Sequence, residues 1–376
     1  MSPAIHCAND KTCKPGHPAA QRLKLLICGS SQGAYGGIEA VMFALADAAR
    51  NSGRFEVHIV FKLVKSAKRQ LSLEEMIQSC GHACHITGRM DPNLISWIDE
   101  SDLVHVQNVP PDIVGLCKLL GKPLVSTIHN YRRTRFSIHR LLWDMCSKMC
   151  DYITFNSAFV MSTWDRGGTD RKHHVVPAVC RIPDHHPPGG QRKGFSFVSR
   201  WIPNKGADLL IKAYQSANLD PDRWPLVMMG EGPELSRIRD ELIPNGSPGI
   251  ELLGRVDDAE KWQRIASSKW LVVPPHTLED MGLTPIEARA LGTPVIASRD
   301  GGLIESAGDH ALFFEPGNVD ELREKLEKAA RMDDQDYLTI ARKSQDSLHS
   351  YLVPFSFYHT LYHKATQTTV PHPAAT

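Results

Sequence analysis

The chain alternates short apolar, β-branched runs with longer segments whose apolar residues recur at helical spacing, and that alternation leaves few folds open. From Leu23, LKLLICG reads as a strand, SSQGAYGG as a glycine-rich turn and IEAVMFALADAAR as a helix. FEVHIVF (55–61), HACHIT (82–87), LVHVQ (103–107), PLVSTIH (123–129), YITFNS and HHVVPAV continue the strands, with LSLEEMIQ and LLWDMCSKMCD as helices between them. DHHPPGGQRKG (184–194) then gathers Pro, Gly, His and basic residues into one stretch, the best linker in the sequence. FSFVSR (195–200), PLVMMG (225–230), IELLG (250–254), WLVVPP (270–275), TPVIAS (293–298) and ALFFEP (311–316) restart the pattern beyond it.

Strands alternating with helices predict parallel, doubly wound sheets. The 376 residues suit two domains at about 150 residues each. The expected fold class is therefore α/β, with two Rossmann-like domains facing a cleft: residues 21–186 after a loose tail at 1–20, and residues 187–349. The aromatics of LVPFSFYHTLYHKA, Phe355, Phe357, Tyr358 and Tyr362, are expected to pack back across the linker, which adds residues 350–370 to the first domain.

Charge and cysteine content narrow the surroundings. With 43 Lys+Arg against 42 Asp+Glu the chain lacks the basic excess of a nucleic-acid binder. The balance is uneven: residues 1–186 hold 22 basic against 16 acidic residues, and the rest hold 21 against 26. An anionic partner for the first half, such as a membrane surface, fits that split. The 9 cysteines are odd in number and follow no framework spacing, which reads as reduced thiols in a cytoplasmic protein. No run of 18 apolar residues spans a bilayer, and the polar first twenty residues do not read as a signal peptide.

Three loops after strands carry candidate chemistry, since open α/β sheets bind ligands beyond the carboxyl ends of their strands. GSSQGAYGG (29–37) fits a phosphate or substrate loop and fits a tight turn equally well; it is not a dinucleotide fingerprint, because its glycines miss G-x-G-x-x-G and no acid ends the second strand. In FVSRWIPNKG (197–206), Arg200 and Lys205 sit at a strand end and a helix start, an arrangement suited to a diphosphate or to a solvated basic pair. In PPHTLEDMGLTPIEARALGTPVIASRDGG (274–302), Glu279 and Glu287 flank an M-G-L turn, and their carboxylates can accept hydrogen bonds from vicinal hydroxyls.

Together with GEGPEL (230–235), ELLGRV (251–256), DGGLIE (300–305), GGIEAV (36–41) and STIHN (126–130), these segments resemble a retaining GT-B glycosyltransferase of family 4 over most of residues 23–365. The resemblance implies a nucleotide-diphosphate-sugar donor, held mainly by the C-terminal domain, a glycan or lipid-linked acceptor, and a last helix that returns to the N-terminal domain. It assigns Arg200 and Lys205 to the donor diphosphate, Glu287 to the ribose and Glu279 to the donor sugar's hydroxyls. The backbone of Met281, Gly282 and Leu283 would close around sugar and phosphate, and Arg255 and Val256 would meet the base. His129 would lie near the reacting sugar, and Gly36 and Gly37 would approach the phosphates. Ser199 stands where the family commonly has Gly, Met281 where it has an aromatic, and PAVCRIP (177–183) where many members have an Asn-Gly turn. No metal or other cofactor is implied, and the Asp-x-Asp occurrences at 220–222 and 334–336 are read as chance. The rival readings are a non-catalytic sugar-nucleotide-binding subunit and an NAD-dependent dehydrogenase.

Two further features are weighed. CGHACH (80–85) invites a metal reading, but strand alternation should turn its Cys and His side chains to different faces. In YRRTRFSIHRLLWDMCSKM (131–149), an apolar stripe at Ile138, Leu142, Met145 and Met149 follows four arginines; a core-facing helix is favoured over one that lies on an anionic membrane. FKLVKSAKRQ (61–70) adds four cations on a nearby loop, and the His pairs 173–174 and 185–186 are expected in solvated loops.

Overall fold

The computed structural model describes residues 22–65, 67–88, 91–132, 137–165, 170, 172–177, 191–244 and 246–368. The tail at 1–20, most of the linker, His185, His186, and Arg133 and Arg135 lie outside the described residues. The described chain divides into two compact units, residues 22–177 with 352–368 and residues 191–351.

The first unit runs β1 (Leu23–Ser31), α1 (Gly37–Asn51), β2 (Phe55–Leu63), α2 (Leu71–Ser79), β3 (Ala83–Thr87), α3 (Pro92–Asp99), β4 (Leu103–Gln107), α4 (Pro111–Leu119), β5 (Leu124–Ile128), α5 (Ile138–Met149), β6 (Tyr152–Phe155), α6 (Ala158–Trp164) and β7 (His173–Val175). The second runs β8 (Phe195–Val198), a 3-10 turn at Pro203–Lys205, α7 (Ala207–Ser216), β9 (Leu226–Met229), α8 (Glu234–Leu242), β10 (Ile250–Gly254), α9 (Asp258–Ser267), β11 (Trp270–Val273), α10 (Thr284–Ala290), β12 (Val295–Ser298), α11 (Leu303–Ala307), β13 (Leu312–Phe314), α12 (Val319–Arg331) and α13 (Asp334–Tyr351). A last helix, α14 (Phe355–Thr368), belongs to the first unit.

Every pairing between these strands is parallel, in the orders β3-β2-β1-β4-β5-β6-β7 and β10-β9-β8-β11-β12-β13. The central strands are buried along their whole length, as in LVHVQ and LVSTI, because helices cover both faces. Each order reverses direction once, between β1 and β4 and between β8 and β11, and a crevice opens at such a reversal beyond the strand ends.

The helix α14 docks on the first sheet through the expected aromatics. The Phe55 ring meets Phe355 and Tyr362 edge-on at 6.2 and 5.6 Å. Tyr362 Oη lies 2.6 Å from His105 Nδ1, whose other nitrogen lies 2.7 Å from Thr127 Oγ1. A buried imidazole needs such partners on both nitrogens. Burial pushes His105 down to about 3, with His129's charge opposing it further, so this histidine is neutral.

Candidate functional site

The second unit gathers most of the candidate residues at the carboxyl edge of its sheet. Arg200 follows β8 by two residues and is exposed. Lys205 closes the 3-10 turn, and its Nζ lies 2.5 Å from Oε2 of Glu279, in the loop after β11. These two elements straddle the reversal between β8 and β11. Two backbone bonds hold them there: His276 N–H donates to Asn204 O at 2.9 Å, and Gly302 N–H donates to Glu279 O at 2.8 Å. Gly206 makes the contact sterically possible. Its φ is 72°, and a Cβ there would stand 1.8 Å from the Pro274 carbonyl oxygen. A diphosphate bearing a sugar offers an anion to Lys205 and hydroxyls to Glu279, so one ligand can replace both partners of the ion pair at once.

Glu287 lies in the first turn of α10 and is 7% exposed. Its Oε1 accepts from Lys261 Nζ at 2.7 Å and from Trp262 Nε1 at 3.3 Å, both on α9, whereas Oε2 is buried without a partner among the described residues. A buried acceptor left open on an otherwise held carboxylate is what a ribose hydroxyl would fill. Burial disfavours the Lys261 ammonium, but Glu287 and Asp258, 2.8 Å away, outweigh it and hold its pKa above the ordinary lysine range. Sequence reasoning missed Lys261 and Trp262. The only local signal is a lysine following the acids Asp257, Asp258 and Glu260, and nothing in that spacing points to a residue on α10. It also passed over Asp300, just past β12, whose buried Oδ2 has no partner among the described residues; burial, and then the Glu279 charge, push its carboxyl pKa up.

The other assignments fall nearby. Met281 is buried, and its carbonyl accepts from Ser306 Oγ at 2.6 Å. Gly282 has φ 93° and precedes Leu283, the N-cap of α10. Arg255 and Val256 follow β10, on the same edge but two strands from β8; Arg255 is exposed and Val256 packs on the core around Met229 and Leu271.

In the first unit, Gly36 caps α1 and Gly37 begins it, beside the reversal between β1 and β4. The buried Glu39 already occupies this helix start, with Ser31 Oγ donating to it at 2.7 Å. His129 is one residue past β5 and buried, with Nε2 2.7 Å from Gln107 Oε1. Its backbone N–H donates to the side chain of Asn108, a residue at φ 59°, at 3.0 Å. Burial pushes the His129 imidazole down to about 4. It is therefore neutral at pH 7, a hydrogen-bonding group rather than a cation.

Four expectations require correction. The stripe on α5 is not a core face: Ile138, Leu142, Met145 and Met149 are 75, 41, 54 and 38% exposed, Leu141 joins them at 48%, and Cys146 is the buried side chain of this helix. Lys62 is not a surface cation; it is 6% exposed and its ammonium is 2.5 Å from Asp112 Oδ1. His173 and His174 lie in β7, and His173 Nδ1 is 2.8 Å from Asp165. In CGHACH, His82 bonds Asp47 and His85 stacks on Trp97 at 4.2 Å, but the two sulfurs meet at 3.5 Å, because Cys80 caps α2 and lies outside the alternation of β3. Among the described residues no group of three or more His, Cys, Asp or Glu could hold a metal ion, and no helix is long and apolar enough to cross a membrane.

Two Rossmann-like units, each built on a parallel sheet with one reversal of strand order, are the architecture of the GT-B transferases. Anabaena HepE, solved in complex with UDP and glucose, superposes with a TM-score of 0.73 at 17% identity, over 92% of this chain and 100% of that one. The sequence carries the same signal. Residues 35–178 match Glycosyltransferase Family 4 and residues 181–344 match Glycosyl transferases group 1. An uncharacterized glycosyltransferase of Methanocaldococcus jannaschii is 33% identical over 132 residues, 35% of this chain and 36% of that protein's length. D-rhamnosyltransferase WbpZ of Pseudomonas aeruginosa is 26% identical over 325 residues, 77% of this chain and 82% of that one. The chain belongs to the GT-B glycosyltransferases of family 4.

Proposed function

We propose that the protein moves a hexose from a UDP- or GDP-sugar to a lipid-linked, lipopolysaccharide or polysaccharide acceptor, with retention of configuration and without a metal ion. The open acceptor on Glu287, buried beside Lys261 and Trp262, is the observation that carries a nucleotide donor. Breaking the bond from the sugar's C1 to the diphosphate builds negative charge on the leaving oxygen; Arg200 and Lys205 supply the countercharge a metal supplies elsewhere. Glu279, released from Lys205, accepts from the sugar's hydroxyls. Asp300, beside Glu279, adds a second carboxyl for a hydroxyl. In front-face attack the acceptor oxygen bonds to C1 as the phosphate oxygen leaves, and that oxygen takes the acceptor's proton. No protein nucleophile enters this scheme.

A lipid-linked acceptor agrees with α5, whose five exposed apolar residues form one stripe, following a basic segment in the half of the chain with the positive excess. We read it as a peripheral contact with an anionic membrane. Replacing Leu142 and Met145 with Glu should release the protein from phosphatidylglycerol vesicles in a sedimentation assay, and undiminished binding would remove this contact.

The donor is tested by thermal shift with UDP-, GDP- and ADP-sugars. A donor at a hundred times its Kd adds about 2.7 kcal/mol to the folded state. A rise with one base is expected; no rise with any would overturn the donor reading.

A further inference from the structure

We propose that Cys80 and Cys84 form a reversible, peroxide-oxidised dithiol site on the first unit. Their sulfurs are 3.5 Å apart, in hydrogen-bond contact, and closing a disulfide requires them to approach by roughly 1.5 Å. The backbone is already folded for this. Cys80 caps α2, Gly81 turns the chain at φ 68°, and Cys84 enters β3. The turn is held on α1 by Arg50, which donates to Gly81 O at 3.0 Å, and by Asp47 with His82 Nε2 at 2.8 Å.

The two thiols are unlike. Cys80 Sγ receives the His82 N–H at 3.4 Å, and while protonated its S–H donates to Ile77 O at 3.2 Å. Either sulfur can donate across the 3.5 Å contact; with Cys84 as the donor, that bond and the His82 N–H draw the Cys80 thiol toward its thiolate, although burial opposes this. The same contact, with burial, pushes Cys84 up, so Cys80 is the attacking sulfur and Cys84 the resolving one. Cys80 is itself only 7% exposed, but Cys28, Cys117 and Cys150 lie deeper, at 0, 0 and 2%, and burial raises all three thiols, Cys117 to about 12.

The chemistry balances with a hydroperoxide as oxidant. The Cys80 thiolate attacks one peroxide oxygen; an S–O bond forms, the O–O bond breaks, and hydroxide leaves to become water. Cys84 then attacks the sulfenic sulfur; the S–S bond forms, the S–O bond breaks, and a second water carries off the Cys84 proton. Two thiols lose two electrons and hydrogen peroxide becomes two waters.

The test uses the full chain treated with hydrogen peroxide, alkylated and digested with trypsin. Residues 70–89 form one tryptic peptide with no cysteine besides these two. It should become lighter by two hydrogens and lose alkylation at both sites, faster than alkylation is lost at Cys117 or Cys150 by roughly tenfold or more. Dithiothreitol should restore both thiols. The Cys84→Ser variant should stop at a sulfenic acid on Cys80, captured by dimedone. A peptide that stays fully alkylated, or that oxidises no faster than Cys117 and Cys150, would overturn the proposal.

Discussion

Replacing Lys261 with Met isolates the contact that the sequence did not disclose. The Lys261 and Glu287 side chains are 16 and 9% exposed, and their charged atoms lie 2.7 Å apart. Removing one partner of a buried pair costs about 3–5 kcal/mol, because the remaining charge is left uncompensated. The Trp262 N–H stays on Glu287, so the lower end of that range applies. A domain of this size loses about 2–4 °C of Tm per kcal/mol, which places the loss for the second unit at roughly 6–12 °C. Lys261→Met, Glu287→Gln and the double variant are compared by scanning calorimetry. The double variant should melt above Lys261→Met, since a neutral amide no longer needs the ammonium, with a coupling of about 1 kcal/mol or more. Affinity for the nucleoside diphosphate should fall with Lys261→Met by roughly tenfold to a hundredfold, the worth of a hydrogen bond to a well-placed carboxylate. A 2′,3′-dideoxy analogue should bind both proteins equally. If the single variants add without coupling and the ribose analogue discriminates as before, Lys261 does not hold Glu287 and the argument fails.

The remaining predictions follow from the same contacts. His105 and His129 fold with pKa values of about 3 and about 4, below that of a free histidine. The unfolded chain therefore takes up protons that the fold excludes; stability is complete above about pH 6.5 and falls as pH drops toward 4, by about 1.4 kcal/mol per pH unit for each histidine. His129→Gln should lower that slope by about 1.4 kcal/mol per pH unit in urea titrations between pH 6 and pH 4.5, and an unchanged slope would show that neither burial nor neutrality was read correctly. Gly206→Ala should destabilise the second unit more than Gly254→Ala. Both glycines have φ near 70°, at 72° and 71°, but a Cβ at Gly254 meets nothing within 4 Å whereas one at Gly206 strikes Pro274. Equal Tm losses for the two would mean that the turn bearing Lys205 is not pressed against the loop bearing Glu279.

The strands were legible because parallel strands covered on both faces leave short apolar runs, and LVHVQ, LVSTI and LVMM stand out against amphipathic helices. Arg200, Lys205, Glu279 and Glu287 were legible as residues, since they sit where strands end. Their pairing was not. No local spacing encodes that Lys205 meets Glu279 across 74 positions, or that α9 delivers Lys261 to Glu287. The apolar stripe of α5 reads the same whether it faces core or solvent, because helical period reports a face and not what covers it. Lys62 was misread for a related reason: a lysine at a strand end counts as surface until Asp112, on another element, is seen to neutralise it.

The central claim is that Lys205 and Glu279 act on a nucleotide-sugar donor in this chain. It is tested most directly by sugar transfer from the donor that gives the thermal shift, measured as nucleoside diphosphate released in the presence of acceptor, for the wild-type protein and for Lys205→Ala and Glu279→Ala. Removing one preorganised contact to the transition state costs about a hundredfold to a thousandfold in turnover, and both variants should fall at least that far while remaining folded at the assay temperature by circular dichroism. Undiminished turnover in both would contradict the account.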